Sequence, residues 1–211
     1  MVADQIHLVR HGEVHNPSRV LYGRLPAFRL SELGQRMALA AADDLAARGR
    51  PVTALYASPL QRAQESAAPI AERFGLEIIP EDRVIEPFNE FEGKRMSRAL
   101  RNPVNWPKLR NPSKPSWGEP YASIINRMNA AVESAWRATV SGDAVIVSHQ
   151  LPIWMMHSWV EGLPFRHDPR KRRCALSSIT TFERTTDSFR EVGYTDPAAF
   201  LAAGSTDVGA V

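Results

Sequence analysis

Two hydrophobic periods alternate along this chain: short apolar runs that stop abruptly at charged or turn-forming residues, and longer stretches with apolar positions three and four apart. Ile6 to Val9 predicts a first strand, and Ser31 to Arg48 a helix with Leu33, Met37, Ala41 and Leu45 on one stripe. Ser31 is placed to cap that helix and Gly49 to close it. Thr53 to Ala57 predicts a second strand, Leu60 to Phe74 a second helix ending at Gly75, and Leu76 to Ile79 a short extended piece. Ala122 to Val140, striped by Ile125, Met128, Val132 and Trp136, predicts a long helix; a strand at Ala144 to Ser148 and a helix at Pro152 to Val160 follow. Ser178 to Glu183 and Phe189 to Tyr194 flank a polar Arg184-Thr185-Thr186-Asp187 turn and predict a closing hairpin. This order predicts an α/β fold, a three-layer α/β/α sandwich whose mostly parallel sheet has an antiparallel edge strand. From Gly204 the chain is expected to fray.

One stretch breaks the pattern. Gly93 to Pro120 holds Pro103, Pro107, Pro112, Pro115 and Pro120 among Lys94, Arg95, Arg98, Arg101, Lys108, Arg110 and Lys114, with no acidic residue before Glu119. It is expected to be an irregular basic insertion at about 93–120 in a single domain spanning 1–211. It reads either as a cap that supplies substrate contacts or as a solvated surface loop.

At 211 residues the chain suits one domain with a full core. A formal charge of +3 and a pI near 9.3 fit an anionic small-molecule partner and fall short of a nucleic-acid binder's footprint. Cys174 is the single cysteine, which excludes an intrachain disulfide and fits a reducing compartment. Met1 to Gln5 has neither a basic nor an apolar leader region, and no apolar run approaches the roughly 20 residues of a membrane helix. A cytoplasmic protein away from the membrane is expected.

The chemistry is carried where strands end. Leu8-Val9-Arg10-His11-Gly12-Glu13 is an apolar strand emptying into a cation, an imidazole and a glycine, and Ala144-Val145-Ile146-Val147-Ser148-His149 repeats the apolar strand ending in a histidine. Side by side, the two strands would set both rings over one crevice, where open α/β sheets bind ligands. Tyr56-Ala57-Ser58-Pro59-Leu60-Gln61-Arg62 is a strand end followed by a helix start that suits an anion, and Arg62 could fork onto two phosphate oxygens. Glu86 lies in an apolar neighbourhood that would raise its pKa and suit it to donating a proton. Asn16 can hold a ring or an oxygen by its amide.

Together, LVRHGE at the start, SPLQRAQESA in the second unit, Glu86 followed by FEG at 91–93, and VSHQ at 147–150 resemble the histidine phosphatase superfamily, the phosphoglycerate-mutase-like fold. The resemblance implies that His11 accepts the phosphoryl group, that Arg10, Arg62 and His149 bind it, and that Glu86 donates a proton. It also implies that Asn16 lines the pocket and that Tyr22-Gly23-Arg24 faces the substrate. Gln150 stands where the family usually has glycine, and Glu90 and Glu92 compete with Glu86 for the acid role.

A neutral imidazole is a competent nucleophile near neutral pH. Arg10, Arg62 and a protonated His149 would hold the charge on the equatorial oxygens without a metal or other cofactor. The expected activity is hydrolysis of a small phosphate ester through a phosphohistidine; a phosphoglycerate-mutase-type transfer and a silent phospho-ligand binder are the alternatives. His7, His11 and His15 have helical metal-site spacing, which the strand pattern defeats. His157 and His167 read as surface or helix-packing residues, and the basic run Arg166 to Arg173 as a solvated loop.

Overall fold

The computed structural model describes residues 2–109 and 118–205. Strands β1 (Gln5–Arg10), β2 (Val52–Ala57), β3 (Ile78–Pro80), β4 (Asp143–Ser148), β5 (Ile179–Arg184) and β6 (Phe189–Thr195) form one sheet in the order β3-β2-β4-β1-β5-β6. The pairs β1–β4, β2–β4 and β2–β3 are parallel, whereas β5 runs against β1 and β6 against β5. The reversed strand is therefore β5, one place in from the edge strand β6.

The described residues hold five α-helices, α1 (Glu32–Ala47), α2 (Gln61–Phe74), α3 (Met96–Arg101), α4 (Tyr121–Ala138) and α5 (Gln150–Val160), of which α1, α2, α4 and α5 pack on the sheet. Side chains alternate across a strand, so Ile6, Leu8, Ala144 and Ile146 pack under α4 and α5. Val9, Leu55, Val145 and Val147 pack under α1 and α2 on the other face. The result is the expected three-layer sandwich.

Local chemistry sets the helix ends. The Ser31 hydroxyl accepts from the Gly34 amide at 2.9 Å, satisfying a donor that has no partner inside the helix. Gly75 closes α2 with φ of 66°, a left-handed conformation that glycine adopts at little cost. The last helix starts at Gln150, before Pro152, because the amide that proline lacks would have no acceptor in the first turn anyway.

The described part of the 93–120 stretch is more regular than its prolines suggest. It contains α3 and a 3-10 stretch at Pro103–Leu109. Leu21, Phe91 and Ala99, with Met96 against them, form a small apolar cluster that anchors α3; two core-facing positions suffice for one helical turn where the sequence predicted none. Arg110, Pro112, Lys114, Pro115 and Trp117 lie outside the described residues, as do residues 206–211 of the expected frayed tail, while Gly204 itself ends a 3-10 stretch at Ala199–Gly204. No helix among the described residues is long and apolar enough to cross a membrane.

Candidate active site

The register of the sheet builds the centre of the site. Arg10 of β1 lies opposite Ser148 of β4, and the His11 amide donates to the Ser148 carbonyl at 3.1 Å. The next residue of each strand is a histidine, so the two imidazoles stand edge to face with centroids 5.1 Å apart. After its strand α1 leaves on one face and α5 on the other, which opens the crevice. A Cβ at Gly12 would collide with the Gly34 carbonyl, so only glycine lets the turn after His11 press against the start of α1.

The environment of each ring fixes what it can do. His11 Nδ1 lies 2.7 Å from the Gly12 carbonyl; that oxygen can only accept, so Nδ1 carries the proton and Nε2 keeps its lone pair. Burial, with Arg62 and Arg10 nearby, holds the His11 pKa well below the usual range. The ring is thus biased toward its neutral form, with the lone pair on Nε2. Nε2 of His149 lies 2.8 Å from the Ser58 hydroxyl, and its Nδ1 lies 3.5 Å from Glu86 Oε2. Burial, then Arg62 and His11, hold this pKa well below the usual range too.

Two guanidinium groups are locked into the same cluster. Arg10 donates from Nη1 to the Cys174 carbonyl at 2.7 Å. Arg62, the second residue of α2, donates from Nη2 to the Gly23 carbonyl at 2.7 Å and lies 4.7 Å from the centroid of the Tyr22 ring. Tyr22 stacks on Phe28 and meets His11 edge-on at 6.4 Å. Fixed donors of this kind need no reorganisation when charge develops.

Glu86 arrives on the loop after β3, past a 3-10 turn at Asp82–Val84. The Ser148 hydroxyl, at the end of β4, donates to the Val84 carbonyl at 2.7 Å and ties that loop to the histidines. Burial raises the Glu86 pKa against the opposing pull of Arg62 and Arg172. Its rivals are placed otherwise: Glu90 is exposed, and Glu92 accepts from the Arg24 amide at 3.0 Å and the Asn89 amide at 3.3 Å as a loop staple.

Several of the expected site residues have partners within the fold. The Asn16 amide donates to the Val20 carbonyl and accepts from the Val20 amide, at 2.8 and 3.2 Å; it closes its own loop, a local competition typical of Asn. Arg24 Nε donates to the Glu86 carbonyl at 2.6 Å and so ties the loop of Tyr22 and Gly23 to the one that carries Glu86. His149 is not protonated by its own surroundings, because burial and neighbouring cations oppose the charge. His7, one of the three histidines with metal-site spacing, lies 3.2 Å from Asp143, and no group of three His, Cys, Asp or Glu among the described residues is arranged to hold a metal.

The basic run Arg166 to Arg173 is not wholly a solvated loop. Arg172 is only 9 % exposed and its charge acts on Glu86. The sequence offered no sign of this beyond the clustering of cations, since nothing in a run of arginines marks which one turns inward.

A model of the histidine phosphatase superfamily (branch 1) matches residues 6–197 of the chain. An uncharacterized protein of Mycobacterium tuberculosis, Rv0525, is 50 % identical over 198 residues, covering 92 % of this chain and 97 % of its own. The probable phosphoglycerate mutase GpmB of Yersinia enterocolitica is 29 % identical over 183 residues, covering 83 % and 84 %. Among solved structures, phosphoserine phosphatase of Entamoeba histolytica in complex with 3-phosphoglyceric acid superposes with a TM-score of 0.75 at 21 % identity, covering 92 % of this chain and 98 % of that one.

Proposed function

The chain belongs to the histidine phosphatase superfamily, and on that premise we propose that it hydrolyses small phosphomonoesters through a phosphohistidine on His11, with Glu86 as the proton donor. The observation that carries the reading is the His11 ring: its Nδ1 proton is fixed on the Gly12 carbonyl at 2.7 Å, and its neutral Nε2 shares a buried cluster with Arg10 and Arg62.

In the first half, the Nε2 lone pair forms the N–P bond as the P–O bond to the alcohol breaks. Arg10 and Arg62 hold the charge on the three equatorial oxygens, and the alcohol oxygen takes its proton from Glu86. The arriving phosphoryl dianion supplies the negative charge that His149 lacks, and so favours its protonation. In the second half, water attacks phosphorus, gives a proton to the Glu86 carboxylate, and the N–P bond breaks to release phosphate. Asn16 and Arg24 support this site at one remove, the first by shaping the loop before Tyr22 and the second by holding the Glu86 carbonyl. The cytoplasm is the compartment proposed for this chemistry, in keeping with a lone buried thiol, Cys174.

The basic segment from Gly93 fits a cap. Its Gly93 amide donates to the Leu21 carbonyl at 2.7 Å and its Lys94 carbonyl accepts from the Leu21 amide at 2.9 Å, which pins it to the loop carrying Tyr22. Lys94, Arg95 and Arg98 line a groove of about 670 Å³ there.

The test is hydrolysis of an aryl phosphate in the presence of chelator, with acid-quench analysis for a phosphohistidine. Chelator-resistant turnover and an acid-labile phosphoenzyme, both lost in His11→Ala, are expected. The mutase reading, favoured by the name of the Yersinia relative, requires a phosphoenzyme that persists until a second hydroxyl is offered. Neither phosphoenzyme nor turnover across a panel of phosphate esters would leave a phospho-ligand binder.

A further inference from the structure

Beside the phosphoryl site lies a cavity of about 350 Å³ whose lining includes Gln150, Arg170, Arg172, Arg173, Ala175 and Tyr194. Three of these are cationic and none is acidic. Arg173 is spoken for, stacked 4.7 Å from the Tyr194 ring centroid and paired with Glu191. Exposed Arg170 pairs with Asp168. Arg172 is different.

The residue is buried, 9 % exposed, yet both groups that its guanidinium bonds are uncharged. Nε donates to His167 Nε2 at 2.8 Å, and Nη1 donates to Gln150 Oε1 at 3.1 Å. His167 is held neutral because its Nε2 must keep a lone pair to accept from Arg172 and burial lowers its pKa, against the opposing hydrogen bond of its Nδ1 to the Phe165 carbonyl at 2.7 Å. The carboxyl whose charge Arg172 most feels is Glu86, and Glu86 is itself biased toward its neutral form by burial. A buried guanidinium with neutral acceptors costs desolvation without a countercharge; burial draws its pKa down to about 10.

We infer that the cavity beside Arg172 is a second anion site, taking a carboxylate or phosphate group next to the phosphoryl site. Gln150 is the shared wall: it follows His149, accepts from Arg172, and donates from Nε2 to the Cys174 carbonyl at 3.4 Å. That same carbonyl anchors Arg10. The Gln150 side chain is thus what fixes Arg172 and joins the two sites. The incoming anion is either the second acidic group of one ligand that also fills the phosphoryl site, or a separate anion.

Calorimetric titration of the full chain with inorganic phosphate, and then with 3-phosphoglycerate, tests the inference. Two phosphates per chain are expected in the wild type, one in Arg172→Met, and one in Arg62→Gln. Ala175→Phe fills the cavity while retaining the guanidinium, and is expected to bind one as well, so the test survives if the buried arginine cannot be replaced. If a single ligand spans both sites, 3-phosphoglycerate binds one to one and weakens about tenfold or more in both arginine variants. If the second anion is separate, it weakens only in Arg62→Gln while phosphate keeps two sites. A single phosphate per wild-type chain, unaffected by Arg172→Met and by Ala175→Phe, overturns the inference. The titration reads charge recognition and not turnover, so missing phosphohistidine would sink the hydrolytic reading alone.

Discussion

His7 and His11 stand four residues apart on β1 and the turn that follows it, are 1 % and 2 % exposed, and do opposite work. Around His7, charge is balanced. Its Nε2 lies 3.2 Å from Asp143 Oδ2 and its Nδ1 3.0 Å from the Thr181 hydroxyl. Arg50 forks onto both Asp143 oxygens at 2.6 and 2.8 Å, and Arg48 pairs with Asp44 at 2.6 Å while reaching Thr181 at 3.2 Å. Around His11 the charge comes from Arg62 and Arg10, and its Nδ1 is held by a backbone carbonyl. Burial lowers both pKa values, so burial does not separate His7 from His11, the proposed nucleophile. The sign of the surrounding charge does: the balanced end is complete as a protein interior, whereas the cationic end is completed by an anion.

The sharpest break of this contrast is His11→Ala. Loss of the nucleophile is expected to lower kcat for aryl phosphate by roughly 10⁴-fold or more, with a thermal midpoint no lower than that of the wild type, since no partner side chain is stranded. Asp143→Ala is its mirror image. It leaves partly exposed Arg50 and buried His7 without their carboxylate, and losing hydrogen bonds to a charged group costs about 1.5–3 kcal/mol; urea unfolding should show this while kcat of the folded fraction stays near that of the wild type. The Asp143 pKa adds a pH signature. Burial opposes its ionisation, but hydrogen bonds from Arg50 and His7 pull the carboxyl down to about 2, below its unfolded value of about 3.9. Its contribution to stability is therefore present above about pH 4 and lost as pH falls toward 2, and Asp143→Ala should flatten that limb of the stability profile.

The two ends also differ in how far the sequence disclosed them. The strand-to-histidine endings were legible because each puts a polar residue directly after an apolar run, and the parallel register of β1 and β4 carries that one-dimensional sign into contact. Arg62 was legible for the same reason, at a strand-to-helix turn. Asp143 was not, since a carboxylate preceding a strand is ordinarily an exposed start, and its place beneath Arg50 and His7 depends on which strands are neighbours. Arg172 was hidden by its cationic neighbours. The resemblance alone set Arg24 and Asn16 toward the substrate; that their side chains bond the Glu86 carbonyl and Val20 was not legible, because those contacts depend on how the loop folds back.

Glu86→Gln sharpens the contrast on the reactive side. The acid must be protonated to serve the leaving group, and burial raises its pKa above the ordinary carboxylate range, so kcat with an alkyl phosphate should fall as pH rises through that elevated value. The variant should lose roughly 10²-fold with alkyl leaving groups, lose less with an aryl phosphate whose oxygen leaves unaided, and lack the basic limb. Equal losses on both ester classes would remove Glu86 from proton donation.

Thr181→Val probes the balanced end with the least disturbance. The substitution keeps the shape of a residue on β5 but removes the hydroxyl that meets His7 Nδ1 at 3.0 Å and Arg48 Nη1 at 3.2 Å. Arg48 keeps its bonds to Asp44 at 2.9 and 2.6 Å, and His7 keeps Asp143, so one buried ring nitrogen loses its nearest hydrogen-bond partner. A loss of about 1–2 kcal/mol in unfolding free energy is expected, with KM and kcat unchanged because the hydroxyl lies at the opposite end of β1 from His11. A change in kcat without a change in stability would mean that the His7 cluster acts on the reactive histidine through the strand, and would undo the separation of the two ends.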